Sequence, residues 1–314
     1  MLNPLLTGFG SKLGDRWGSL LTSPALAFWM GGIIAWVWGH GGLAGPESGW
    51  QSLGRAWSRN MGSSLPAAAQ ALLVVLAVLL VAASTRLGEA LTLTVLRLLE
   101  GYWPRWMSPV RAHLLALRGR AVDRRAERWR ELARRRAHLT PAEYAEFAAL
   151  NTSRACVPPA PRDRMPTKLG DVLKAAESRP HHRYGMDATV CWPHLWLSLP
   201  ERAQADVAAA RARLDDAARL WLWSLLFAMW ATFTWWVLPV AWLGMAIGYR
   251  LAVAEAMQYG RLIQASFDLY RKDLYERLGW ELPADPSQAY DTGKRLTAYL
   301  ERGPLLDEAS RRPV

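Results

Sequence analysis

Apolar positions along this chain fall into two patterns, long unbroken runs and four-residue stripes set among charges. The runs are Ala25–Trp38, Ala67–Ala83 (polar only at Gln70), Leu220–Leu238 and Val240–Met257. About 20 apolar residues in a helix rising ~1.5 Å each cross the ~30 Å core of a bilayer. The pattern therefore predicts four transmembrane helices: one near Leu20–Trp38, one from Pro66, one across Leu220–Leu238 and one from Val240, with Pro239 in a tight turn between the last two. The second helix reads on past Arg86 and Glu89 to about Tyr102, where Pro104 stops it, and the fourth reads on to about Gly279.

The stripes predict surface and cytosolic helices. Leu5, Phe9, Leu13, Trp17 and Leu21 recur every four residues, so residues 1–21 read as an amphipathic helix lying in the membrane interface. Beside that stripe runs Gly10, Gly14, Gly18, a ridge of small residues that lets a second helix approach closely and points to a homo-oligomer interface. Lys12 and Arg16 before an apolar stretch also fit a cleaved signal peptide, but the long amphipathic lead and the Trp and Gly spread through the stretch favour a retained span. In the Gly39–Leu65 loop, Trp50, Leu53 and Trp57 share one helical face.

From Arg105 to Arg136 eleven arginines alternate with Asp123, Glu127 and Glu131, which predicts a charge-laced helix over about Val110–Ala137, solvated or facing lipid. Thr140-Pro141-Ala142-Glu143 is a capping box opening a short helix to about Leu150. Thr167 caps a helix Lys168–Glu177, Ser178–Pro200 reads as irregular, and Pro200 starts a helix that feeds the third span. A tail helix Ser287–Glu301 closes the pattern.

The expected fold is thus an all-α integral membrane protein: four transmembrane helices, an N-terminal amphipathic helix and a helical cytosolic domain. Its divisions fall at 1–19, 20–104, 105–218, 219–260 and 261–314. Composition sharpens this in three ways. Eighteen Trp suit membrane–water boundaries, where that side chain concentrates. The net charge of +11, dense across residues 86–136, places that segment and both termini on the cytoplasmic side, and arginine far outnumbering lysine suits the inner membrane of a high-GC bacterium. The same charge favours anionic lipid over nucleic acid as partner, since no nucleic-acid-binding signature accompanies it. Both cysteines, Cys156 and Cys191, fall on the cytoplasmic side, so no structural disulfide is expected.

Candidate chemistry is sparse. The sequence has no G-x-S-x-G elbow, H-E-x-x-H motif or Walker A loop, and Glu177 with Asp187 is the kind of carboxylate pair any chain of this size offers, so neither an enzyme nor a cofactor is expected. His181, His182, Cys191 and His194 are the only metal candidates, in a spacing unlike familiar zinc sites. The charges in the apolar helices carry more. Arg86, Glu89, Arg250 and Glu255 are expected inside or at the edge of the membrane, where an ionised group costs at least ~2.5 kcal/mol and is kept for a pathway, a partner or a headgroup. Glu89 can pair with Arg86 three residues earlier and is the candidate partner of Arg250; Arg250 stands about 15 Å from a span starting at Val240. The doublets Arg86-Leu87 and Arg97-Leu98 match Arg250-Leu251 and Arg261-Leu262, which suggests a parallel duplication of two hairpins. On the cytosolic helix, Arg124, Arg125, Arg128, Arg134, Arg135 and Arg136 are the expected lipid contacts. Two functional expectations follow. One is an oligomeric channel or pore, anion-selective through these arginines; the other is a membrane-anchored scaffold that recruits a cytosolic protein partner.

Overall fold

The computed structural model describes residues 24–43, 48–59, 66–283 and 285–303 of the chain. The amphipathic stripe over residues 1–21, with Gly10, Gly14 and Gly18, lies outside them. Among the described residues the protein is all-helical, without strands. The α-helices are α1 Pro24–Gly39, α2 Gly49–Trp57, α3 Ala67–Glu100, α4 Ser108–Arg134, α5 Pro141–Ala155, α6 Lys168–Tyr184, α7 Ala188–Ser198, α8 Glu201–Phe227, α9 Val237–Arg277 and α10 Ala289–Arg302. They build two compact units, Met1–Leu96 with Asp215–Leu251, and Arg97–Leu214 with Ala252–Val314. Helices α3, α8 and α9 each contribute to both.

The first unit is built on aromatic rings set into glycine notches. Phe28 of α1 is its hub, with ring centroids 5.3 Å from Trp29, 5.4 Å from Trp223 and 5.3 Å from Trp230. Gly31 and Gly32 make room for Phe227 and Trp230: a Cβ on Gly32 would stand 2.4 Å from the Trp230 ring. Trp29 Nε1 donates to Ser84 Oγ of α3 at 3.2 Å. Outside this cluster the apolar surface is open. No residue in the most apolar window of α3 is buried, against 28% of that of α9. These two helices are long and apolar enough to cross a membrane; α1 is apolar but shorter, at 16 residues.

The turn before α9 differs from the sequence expectation. Helix α8 stops at Phe227, a 3-10 turn covers Ala228–Thr232, and α9 begins at Val237. Pro239 lies in the first turn of α9, where its missing N–H has no helical acceptor to lose. The apolar end of α8, Leu220–Phe227, is then only about 12 Å long.

The second unit has an apolar core around Phe267, Leu195, Leu274 and Leu296, all fully or almost fully buried, with Met186 and Cys191 beside them. Its joints are backbone contacts. Gly101, at φ +103°, ends α3 as Tyr102 N–H reaches Arg97 O at 3.0 Å and Gly101 N–H reaches Leu98 O at 3.2 Å. The Thr167 hydroxyl then donates to Glu100 O at 2.9 Å and accepts from Gly170 N–H at 3.0 Å, so one side chain caps α6 and fastens it to the end of α3. At the other end of α6, Gly185 (φ +69°) and Gly293 of α10 allow backbone to touch backbone; a Cβ on Gly293 would stand 1.9 Å from Tyr184 O.

The segment expected to be irregular is helical. Helix α6 runs through Pro180 to Tyr184, and α7 spans Ala188–Ser198 through Pro193, N-capped by Asp187, which accepts from Thr189 N–H at 2.8 Å. A proline removes one helical hydrogen bond, but Ala175, Ala176 and Pro180 of α6 and Cys191 and Leu195 of α7 are buried, and that packing outweighs the lost bond.

Candidate functional site

The four charges of the apolar helices are settled in different ways, one pair within a helix, one acid across to another helix and one arginine without an ion pair among the described residues. Arg86 Nη1 pairs with Glu89 Oε2 at 3.1 Å across one turn of α3, as the spacing predicts, with the Arg86 side chain 80% exposed. Glu89 is therefore engaged and does not meet Arg250, contrary to expectation. Arg250 is exposed on α9 and has no ion pair among the described residues. Starting α9 at Val237 also moves Arg250 to about 20 Å along the helix rather than 15 Å, closer to where the far headgroups of a ~30 Å core would lie. Glu255 belongs to the second unit and pairs with Arg213 Nε of α8 at 2.9 Å. Of the four expected intramembrane charges, only Arg86 and Glu89 come together.

The arginine-rich helix α4 is not a free solvated rod. Leu132 is fully buried, and α4 packs along α5 through Trp129, whose ring stacks on Phe147 with centroids 5.9 Å apart. The Trp129 N–H donates to Asn151 Oδ1 at 2.7 Å, and the Arg154 guanidinium covers the Trp129 ring at 3.6 Å. Arg128 forks onto Glu146 of α5, Nε to Oε1 at 3.0 Å and Nη2 to Oε2 at 2.9 Å, and also reaches Glu131 at 2.9 Å. Arg135 meets Glu131 at 2.9 Å and Glu143 at 3.7 Å. Arg128 and Arg135, expected to contact lipid, thus hold α4 to α5, while Arg124, Arg125, Arg134 and Arg136 stay exposed without a carboxylate partner among the described residues. These contacts shift the acids. Hydrogen bonds from Arg128 hold the Glu146 carboxyl below its usual range; the Thr140 backbone and hydroxyl of the capping box do so for Glu143.

One buried carboxylate organises the middle of the unit. Asp171 in the first turn of α6 is 2% exposed, pairs with Arg118 of α4 and accepts from Met165 N–H at 2.8 Å. Sequence reading missed this pair, because Arg118 and Asp171 stand in different helices with no local spacing to connect them.

The metal candidates do not converge. Cys191 is in the core, its thiol pushed up to about 11 by burial, while His194 on the same helix is exposed. His181 and His182 are adjacent with ring centroids 5.8 Å apart. No cluster of three or more His, Cys, Asp or Glu that could hold a metal occurs among the described residues.

The fold and these contacts define an all-helical protein with two helices long and apolar enough for a membrane and an arginine-rich, ion-paired helical unit. No family model, curated protein or solved structure matches the chain.

Proposed function

We propose that the protein is a membrane-anchored docking module. In this reading the first unit inserts into a bacterial inner membrane, and the second, cytoplasmic with both termini, recruits an anionic or protein partner. The observation that carries it is the apolar window of α3, none of it buried, in a chain whose second unit has a surface laced with ion pairs. An apolar helix window with no buried residue is at its lowest free energy in lipid. Four crossings follow only if α1 and the apolar end of α8 also insert, and both are shorter than a ~30 Å core requires. Arginine placement orients the chain. A reporter active only outside the inner membrane should give signal when fused at Gly49 and none at Pro158; signal at Pro158 would reverse the topology.

The second reading is an oligomeric, anion-selective pore. Arg250 favours it, as an exposed cation on an apolar helix with no ion pair among the described residues. Phe28, Trp223 and Trp230 fill the interior of the first unit, so a path would have to form between copies. Chloride flux across reconstituted vesicles that drops in Arg250→Leu would favour the pore; vesicles that stay tight with wild-type protein would favour docking.

A further inference from the structure

The second unit contains a cleft of about 480 Å³ into which five arginines converge from four places in the chain. Arg125 and Arg130 come from α4, Arg154 from α5, Arg164 from the Pro-rich connector and Arg179 from α6. No carboxylate lines it among the described residues. Five like charges around one space repel one another, so a site without counter-charge is unfavourable until something neutralises it.

The nearest protein acid covers little of this. Asp123 takes one nitrogen of Arg164 at 2.7 Å and otherwise faces solvent. The remaining Nε of Arg164 is buried without a hydrogen-bond partner among the described residues. Among the described residues Arg179 is bonded to neutral oxygens alone, Arg154 O at 3.1 Å and Gln264 Oε1 at 3.4 Å. Burial, and after it the charges of Arg183 and Arg154, push its guanidinium below the usual arginine range. Arg154 is held in place by stacking on Trp129, which is itself pinned to Asn151. Arg125 and Arg130 make no hydrogen bond to a carboxylate among the described residues. Arg154, Arg164 and Arg179 are thus held in place before any ligand arrives, Arg125 and Arg130 stand exposed at the edge of the cleft, and a donor is left unsatisfied on Arg164. The rest of the wall is mostly apolar, Val122, Ala126, Val157, Pro158 and Pro159 among it, with Ser153 and Asn151 as its neutral polar side chains, Asn151 Oδ1 already accepting from Trp129.

We propose that this cleft binds a compact anion bearing two or more phosphate groups. Guanidinium groups match phosphate oxygens with paired N–H donors, and several converging arginines call for more than one phosphate. The volume falls within the range of small-ligand sites, of order 300–1,000 Å³. Such phosphates can come from a soluble phosphorylated compound or from the headgroup of a two-phosphate lipid. The cleft lies wholly in the second unit, so its binding stands or falls separately from membrane insertion of the first.

The test uses the full chain purified in neutral detergent at physiological salt, titrated with sodium tripolyphosphate by calorimetry and by thermal shift. Saturable binding with a raised melting temperature is expected. Arg125→Gln with Arg130→Gln, both on solvent-facing positions, should weaken it at least ~10-fold. Arg111→Gln with Arg134→Gln removes the same charge from α4 outside the cleft and should leave it unchanged. Cardiolipin added in the detergent micelle separates the sources: competition with tripolyphosphate identifies a headgroup site, and no competition a site for a soluble compound. The proposal is overturned if neither tripolyphosphate nor cardiolipin binds saturably, if the control pair weakens binding as much as the cleft pair, or if the chain binds duplex DNA but not tripolyphosphate.

Discussion

The two units treat their surfaces in opposite ways. In the first, Phe227, Trp230 and Trp223 seat on Gly31, Gly32 and Gly88 around Phe28, and the outside of α3 presents Leu72, Val74, Val75, Leu76, Leu79 and Leu80. In the second, Phe267, Leu195, Leu274 and Leu296 form a buried core, and charges pair across the surface of α4 and α5. The second is the arrangement water imposes: bury apolar area, leave charges wet or paired. The first has its apolar surface where water would penalise it, which is the arrangement lipid permits, with helix contacts resting on small residues and close ring packing. One chain thus carries two surface codes, and helices α3, α8 and α9 pass from one to the other without a break.

The contrast breaks most forcefully on α3. Leu76→Asp with Leu79→Asp places two carboxylates on its exposed face. In lipid each costs about 2.5–3.5 kcal/mol near the helix centre, so about 6 kcal/mol in all. The expected outcome is loss of the protein from the alkali-resistant membrane fraction. Retention there at wild-type level would show that this face does not meet lipid.

A smaller effect is expected inside the second unit. Asp171→Asn removes the charge that Arg118 pairs with at a buried position. Breaking a buried ion pair from one side costs about 3–5 kcal/mol, and the partial exposure of Arg118 argues for the lower end, about 3 kcal/mol. Thermal unfolding in detergent should show a drop of several degrees in the transition that exposes Cys191, read by thiol labelling. An unchanged transition would mean that this pair does not hold α4 to α6.

The smallest effect sharpens the contrast at the surface of the second unit. Glu143, Glu146 and Asp123 have folded pKa values lowered, by Thr140, Arg128 and Arg164 respectively. A lowered folded value stabilises above the unfolded one, 4.5 for the glutamates and 3.8 for the aspartate, and that stability is lost as pH falls through the folded values. Glu100 works the other way, since burial raises it: its contribution is present below 4.5 and lost as pH rises through its folded value. Melting of the second unit should therefore weaken as pH falls below about 4.5, and Glu146→Gln should flatten that acid limb. An acid limb as steep in Glu146→Gln as in wild type would exclude the Arg128 fork as its source.

Much of the helical plan was legible because its causes are local. The unbroken apolar run and Pro104 bracket α3, the capping box at Thr140 opens α5, Thr167 opens α6, and the three-residue spacing of Arg86 and Glu89 makes their pair. Each depends on residues within one turn, so it can be read without knowing what else is nearby. Reading failed where a distant surface decided the outcome. Pro180 and Pro193 look like stops until the core that covers α6 and α7 is known. Pro239 reads as a turn until α9 is seen to start at Val237.

The charges divide along the same line. Sequence by itself pointed to four apolar spans, of which α3 and α9 are long and apolar enough to cross a membrane, and to a dense arginine tract, since composition and period need no partner. Only tertiary structure decided which charges are neutralised. Glu255 goes to Arg213, Arg118 to Asp171, Arg128 to Glu146 and Arg164 to Asp123, while Arg125, Arg130, Arg154 and Arg179 line the same cleft as Arg164 without a carboxylate partner among the described residues. A charge acts through distance in space, and packing brings together residues whose separation in the chain says nothing about that distance.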